Sequence, residues 1–146
     1  VPSSTGVRSA THLFERAHIL LEEQLDEALP PVEAVPGQLE QVVINLVTNA
    51  VQACAGEGRV AVRTHLAGID QVAVSVADSG PGVPEVERER VFEPFFTTKT
   101  DGSGTGLGLS IVRNIVEQHR GRVHIATSEW GGALFVCAFP ARGSGP

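Results

Sequence analysis

The sequence predicts an α+β sandwich: one mixed, mostly antiparallel sheet covered on one face by about three helices. Two observations carry that expectation. Alternating, β-branched segments come in pairs joined by short turns, which reads as hairpins, while apolar residues at helical spacing mark separate segments between the pairs. A doubly wound fold would instead repeat strand and helix along the whole chain.

Taken in order, residues 9–17 read as the end of a helix, and HILLEEQL (18–25) alternates as a strand. PPVEAVPG is a break. From Gln38, the positions Leu39, Val42, Val43, Leu46, Val47, Ala50 and Val51 trace one stripe of a helix that ends near Gly56. GRVAVRTHL (58–66) and QVAVSVAD (71–78) then form an antiparallel hairpin. A long glycine-flanked loop follows, and from Thr105 a second amphipathic helix carries Leu109, Ile111, Val112, Ile115 and Val116. Residues 122–128 and 133–140 make another hairpin around EWGG, and 141–146 read as a frayed tail.

A chain of 146 residues fits one domain, large enough to bury roughly 68–70% of its unfolded surface. Eleven basic against seventeen acidic residues give a net charge of −6 without a Lys/Arg cluster, so nucleic acid is not an expected partner. Cys54 and Cys137 lack a CxxC partner and sit in apolar patterns, as buried thiols of a reducing compartment do. No apolar run reaches bilayer length. The chain contains no methionine, so it is expected to be an excised piece, with residues 1–4 reading as an expression remnant.

Between Asp78 and Ser110 the chain reads DSGPGVPEVERERVFEPFFTTKTDGSGTGLGLS, with Lys99 the only lysine in the sequence. Glycines let backbone N–H groups approach an anion, and the amides at a helix start lack intrahelical partners. Gly104, Thr105, Gly106, Leu107 and Gly108 would thus point donors at a phosphate, with Lys99 adding a full charge. A flexible surface loop has the same composition, so the neighbouring segments must decide between the two.

Asn45 and Asn49 lie four apart in LEQVVINLVTNAVQA and therefore share a helix face. Asn is a mediocre helix former, and this pair abuts the apolar stripe. Either both are solvated, or one amide oxygen ligates Mg²⁺, which takes hard oxygen ligands, while the other orients phosphates.

Three segments together resemble the ATP-binding domain of sensor histidine kinases. QVVINLVTNA is similar to its asparagine box, DSGPG to its first glycine box and GSGTGLGLS to its second. EPFFTT resembles its phenylalanine box and GGALF its third glycine element, so the likeness runs through residues 18–140. It implies the Bergerat fold shared with type II topoisomerases, mismatch-repair ATPases and the large heat-shock chaperones. Asp78 would accept a hydrogen bond from the adenine amine, with Gly80 and Gly82 letting the base approach. Asn45 would hold Mg²⁺, Asn49 would assist with phosphates, and Lys99 with the amides of 104–108 would hold the triphosphate of ATP. Phe95 and Phe96 would anchor a lid over residues 93–103, expected to be mobile without nucleotide. For Phe92, lid anchor and ordinary core packing stand equal. The sequence FTTK, where many members carry an aromatic-Arg pair, resembles the nitrogen-regulation and oxygen-sensing branch. Arg120 stands where a glycine is common, which would leave the turn to Gly121.

The resemblance also bears on the reaction. The hydrolytic branches carry a Glu four residues before the first Asn, and here that position is Gln41, which cannot take a proton at neutral pH. Glu40 is rotated about 100° away. Transfer is therefore favoured over hydrolysis, with Asn45 and Lys99 as the catalytic pair. An ATPase of the same fold, or a nucleotide-binding regulatory module without transfer activity, are the alternatives.

The acceptor must come from elsewhere. None of His12, His18, His65, His119 and His124 is followed by an acidic residue, as an acceptor histidine of this family usually is. The expected partners are the histidine-bearing dimerisation domain of a parent kinase and a downstream response regulator, with no nucleic acid or direct membrane contact. The fragment is expected to be monomeric and cytoplasmic. Residues 1–17 would be the end of a preceding helix or linker, 18–140 the catalytic domain and 141–146 a tail. His119 is expected to play a structural part, as a cation at the end of the second helix.

Overall fold

The computed structural model describes residues 19–55, 57–94, 96 and 108–141. Its five strands are β1 (Ile19–Gln24), β2 (Gly58–Gly68), β3 (Gln71–Asp78), β4 (Arg122–Thr127) and β5 (Ala133–Pro140), in the sheet order β1-β2-β3-β5-β4. β1 pairs parallel to β2, and the other three pairings are antiparallel. The expected hairpins are β2–β3 and β4–β5. The parallel pair adds one β-α-β link, because parallel neighbours need a crossover.

That crossover contains α1 (Gln38–Ala53), and α2 (Gly108–Gln118) packs beside it. Two one-turn 3₁₀ helices, Glu85–Glu87 and Arg90–Phe92, lie between β3 and α2. The expected helix over residues 9–17 and residues 142–146 of the expected tail fall outside the described residues, as do His12 and His18, while Ala141, expected to fray, packs against the core and donates its N–H to the Asp70 carbonyl at 2.8 Å.

Six residues of the predicted stripe form the buried face of α1, Leu39, Val42, Val43, Leu46, Val47 and Ala50, while Val51 is only partly buried at its edge. They meet Val60, Val62, Val72, Val74 and Val76 of the hairpin and Phe135, Cys137 and Phe139 of β5 in one core. α1 stops at Ala53, and Ala55 turns the chain away with φ 53°. Phe92 resolves to core packing: it is buried and stacks edge-on against Phe135, with ring centroids 6.5 Å apart.

β3 is buried on both faces from Val72 to Asp78. Its valines face the helices, while Ala73, Ser75 and Ala77 face the other way. Trp130, from the β4–β5 turn, lies on that second face, with Arg59 4.5 Å and Arg63 6.0 Å from its ring centroid. Both arginines belong to β2, so the indole reaches across β3, which small side chains permit.

The end of α2 departs from the sequence expectation. Arg120 itself takes the left-handed turn, with φ 62°. Gly121 is required for a different reason: a Cβ there would stand 2.3 Å from the carbonyl oxygen of Ala138. His119 is structural, but not as a cation. Its Nε2 accepts from the Val35 N–H at 3.1 Å, so Nδ1 is the donor to the Ile115 carbonyl at 2.8 Å and the ring is neutral.

A pair of substitutions tests this turn by thermal denaturation. Arg120→Gly relieves the left-handed residue but adds unfolded-state entropy, for an expected net gain of up to about 1 kcal/mol. Gly121→Ala is expected to cost about 1–3 kcal/mol through the clash. A loss from the first or no loss from the second would contradict the assignment.

Candidate functional site

The site is built where β3 ends. Asp78 is the last residue of the strand and is fully buried. Its Oδ1 accepts from the N–H of Gly80 at 2.9 Å and of Ala133 at 3.2 Å. Its Oδ2 is buried with no hydrogen-bond partner. Gln38 Oε1 is the other such atom among the described residues. A buried carboxylate oxygen without a donor is costly, and burial accordingly pushes the Asp78 carboxyl above its usual range, offset in part by the N–H bonds from Ala133 and Gly80.

Glycines surround this carboxylate because atoms are close. A Cβ on Gly132 would stand 2.2 Å from the Asp78 carbonyl oxygen and 2.5 Å from Oδ1. Gly80 packs against the end of α1, where a Cβ would be 2.8 Å from the Ala53 carbonyl oxygen. Gly82 has φ +81° and faces the β4–β5 turn, its Cβ position lying 3.2 Å from the Gly131 carbonyl oxygen. Three chain segments thus converge on one side chain: the strand end, the loop after it and the β4–β5 turn.

α1 links this end of the site to Asn45 and Asn49. Both are half-buried, at the edge of the apolar stripe rather than on the solvent side. Asn45 Oδ1 accepts from Gln41 Nε2 at 2.9 Å, and its Nδ2 donates to the Gly108 carbonyl at 3.3 Å. Gln41 therefore does sit beside the first Asn, as the four-residue spacing requires, and the first residue of α2 lies at the same place. Asn45 is eight residues before Ala53, the residue against Gly80, so the two ends are separated by about 12 Å along the helix axis.

Asn45 and Gly108 thus meet at one point along α1, Asp78, Gly80 and Gly82 gather beyond its C-terminal end, and Asn49 lies on the helix between them. Lys99, Gly104, Thr105, Gly106 and Leu107, Phe95 and most of the expected lid lie outside the described residues. Phe96 is half-buried, with the Arg90 guanidinium 5.1 Å from its ring centroid. His65 and His124 are exposed, and no cluster of three His, Cys, Asp or Glu side chains suited to a metal occurs among the described residues. Both cysteines are free and buried, and burial pushes the Cys137 thiol up to about 12, so it is inert.

Sequence reasoning missed two supports. Ser128 is buried, and its hydroxyl donates to the Asp78 carbonyl at 2.7 Å. Arg88 holds the loop after Gly82 to β4, through Val83 O at 3.1 Å, Ile125 O at 3.5 Å and Thr127 Oγ1 at 3.2 Å. The only linear signal for the first is a serine at a strand end before two glycines. Arg88 reads in sequence as one charge among several.

Known proteins are similar to this chain in sequence and fold. Sensor histidine kinase ZraS of Salmonella typhimurium is 42% identical over 115 residues, covering 79% of this chain but 24% of its own length, so the chain spans about a quarter of that relative. The nucleotide-free catalytic domain of histidine kinase ThkA superposes with a TM-score of 0.85 at 37% identity, covering 97% of this chain and 93% of that domain. ThkA in complex with the response regulator protein TrrA gives 0.79 at 34% identity, covering 94% and 40%. Full-length ShkA in complex with AMPPNP gives 0.83 at 31% identity, covering 99% and 31%. Residues 34–143 match the family described as histidine kinase-, DNA gyrase B-, and HSP90-like ATPase, and this chain belongs to that family.

Proposed function

We propose that the chain binds Mg·ATP and donates the γ-phosphoryl group to a histidine on a separate dimerisation domain of a longer kinase. The observation that carries this reading is the unpartnered Oδ2 of Asp78. It is a fixed acceptor in a buried place, suited to the 6-amino group of adenine and hostile to the carbonyl that guanine presents there. ShkA, which is similar over 99% of this chain, is in complex with AMPPNP, and that supports a nucleotide as the ligand.

The phosphate end follows from α1. Asn45 would hold Mg²⁺: its oxygen accepts one bond from Gln41 and keeps a second lone pair for a hard cation. The cation would neutralise charge on the phosphoryl oxygens. Asn49, Gly108, Lys99 and the amides of 104–107 are proposed to align the triphosphate. Positioning is most of what phosphoryl transfer asks of a protein.

Gln41 sets the choice of acceptor. Its amide donates to Asn45 and is too weakly basic to take a proton from water, so slow hydrolysis and transfer to a partner are expected. Residues 18–140 are proposed as the catalytic unit, following a helix or linker at 1–17 and working on the cytoplasmic side of a sensor protein. A response regulator is the proposed downstream partner, and the ThkA–TrrA complex supports that class.

Two experiments test the reading. Asp78→Asn is expected to weaken ATP binding by about 1.5–3 kcal/mol, roughly tenfold to over a hundredfold by calorimetry. The same variant should melt no lower than the parent near pH 7. A carboxyl whose folded-state pKa is raised above 3.8 contributes stability below that pH and loses it as pH rises through the raised value, so ionised Asp78 is a cost that Asn removes. Conversely, ATP affinity should fall as acidification protonates Asp78, a step absent in Asp78→Asn. Unchanged affinity in that variant would refute the adenine contact.

In the second experiment, γ-labelled ATP is added with and without the parent's histidine-bearing domain. Acid-labile label on that domain is expected, and Asn45→Ala should reduce transfer more than nucleotide binding. Rapid phosphate release without an acceptor would favour an ATPase instead.

A further inference from the structure

We propose that Ser128 is a positioning residue for nucleotide recognition, acting through Asp78 to fix which carboxylate oxygen is left for the base. The inference rests on the adenine reading given above.

The Ser128 hydroxyl uses its full hydrogen-bonding capacity. It donates to the Asp78 carbonyl at 2.7 Å and accepts from the N–H of Gly132 at 3.0 Å and of Trp130 at 3.2 Å. The backbone closes the same knot: Ser128 N–H to Gly132 O at 2.8 Å, and Gly131 N–H to Ser128 O at 3.0 Å. One buried hydroxyl therefore ties the β4–β5 turn to the end of β3.

The consequence reaches the carboxylate through Ala133. Its N–H, the residue after Gly132, is one of the two donors on Asp78 Oδ1. With Oδ1 held from both sides, the carboxylate plane cannot turn, and Oδ2 is the oxygen presented. Contact here is already tight, since Gly132 has no room for even a Cβ against Asp78. Removal of the hydroxyl leaves two turn amides and one strand carbonyl without their partner, loosens the turn and frees the carboxylate to rotate. The base would then lose a directed acceptor rather than a charge.

The test compares ATP with purine riboside 5′-triphosphate, which lacks the 6-amino group, by calorimetry on the full chain. The parent is expected to prefer ATP by about tenfold or more. Ser128→Ala is expected to lose most of that preference, with affinity for the purine analogue held within about twofold, and Ser128→Thr, which keeps the hydroxyl, to restore it. Preference undiminished in Ser128→Ala, or an equal loss for both nucleotides, overturns the proposal, the second because it marks a merely structural role. If Ser128→Ala does not fold, Ser128→Cys, a weaker donor and acceptor, is expected to show an intermediate preference, and full preference there overturns the proposal. No preference in the parent refutes the adenine reading itself, and this inference with it.

Discussion

The fold is arranged around a carboxylate whose burial it only half compensates. Asp78 lies at the end of the central strand, where neither face of the sheet is open, and only its Oδ1 is hydrogen-bonded. A group left in that condition raises the free energy of the empty protein, and a ligand with one well-placed donor removes the cost. Binding at such a point is selective because a partner without the donor leaves the penalty in place.

The rest of the architecture serves that position. β3 carries valines on the helix side and alanine or serine on the other, so the strand packs beneath α1 while Trp130 crosses behind it with Arg59 and Arg63 on its ring. α1 has two duties on two faces. Its apolar stripe fills the core, and its margin carries Gln41, Asn45 and Asn49 toward the start of α2. Because its C-terminal end abuts Gly80, the helix is also the ruler between the proposed base and phosphate ends.

Much of this was legible in the sequence, for physical reasons. Alternation in GRVAVRTHL and QVAVSVAD placed the hairpin to within a few residues, because a half-buried strand leaves a period of two. The α1 stripe was read correctly because amphipathic packing leaves a period near 3.6. Asp78 and the paired asparagines emerged from the motifs that surround them. What sequence could not carry were contacts between distant segments. Ser128 meets Asp78 across fifty residues, Arg88 reaches β4, and His119 exchanges a charge for two hydrogen bonds with Val35 and Ile115. Arg120 in a left-handed turn runs against local preference, and only the fit of Gly121 against Ala138 explains why the glycine comes one residue later.

A crystal structure of the chain with a non-hydrolysable ATP analogue tests the central claim most directly. The adenine 6-amino nitrogen is expected at hydrogen-bond distance, about 2.8–3.1 Å, from Asp78 Oδ2, with Oδ1 still held by Gly80 and Ala133. A base bound elsewhere, or an Oδ2 that remains without a donor in the complex, would contradict it.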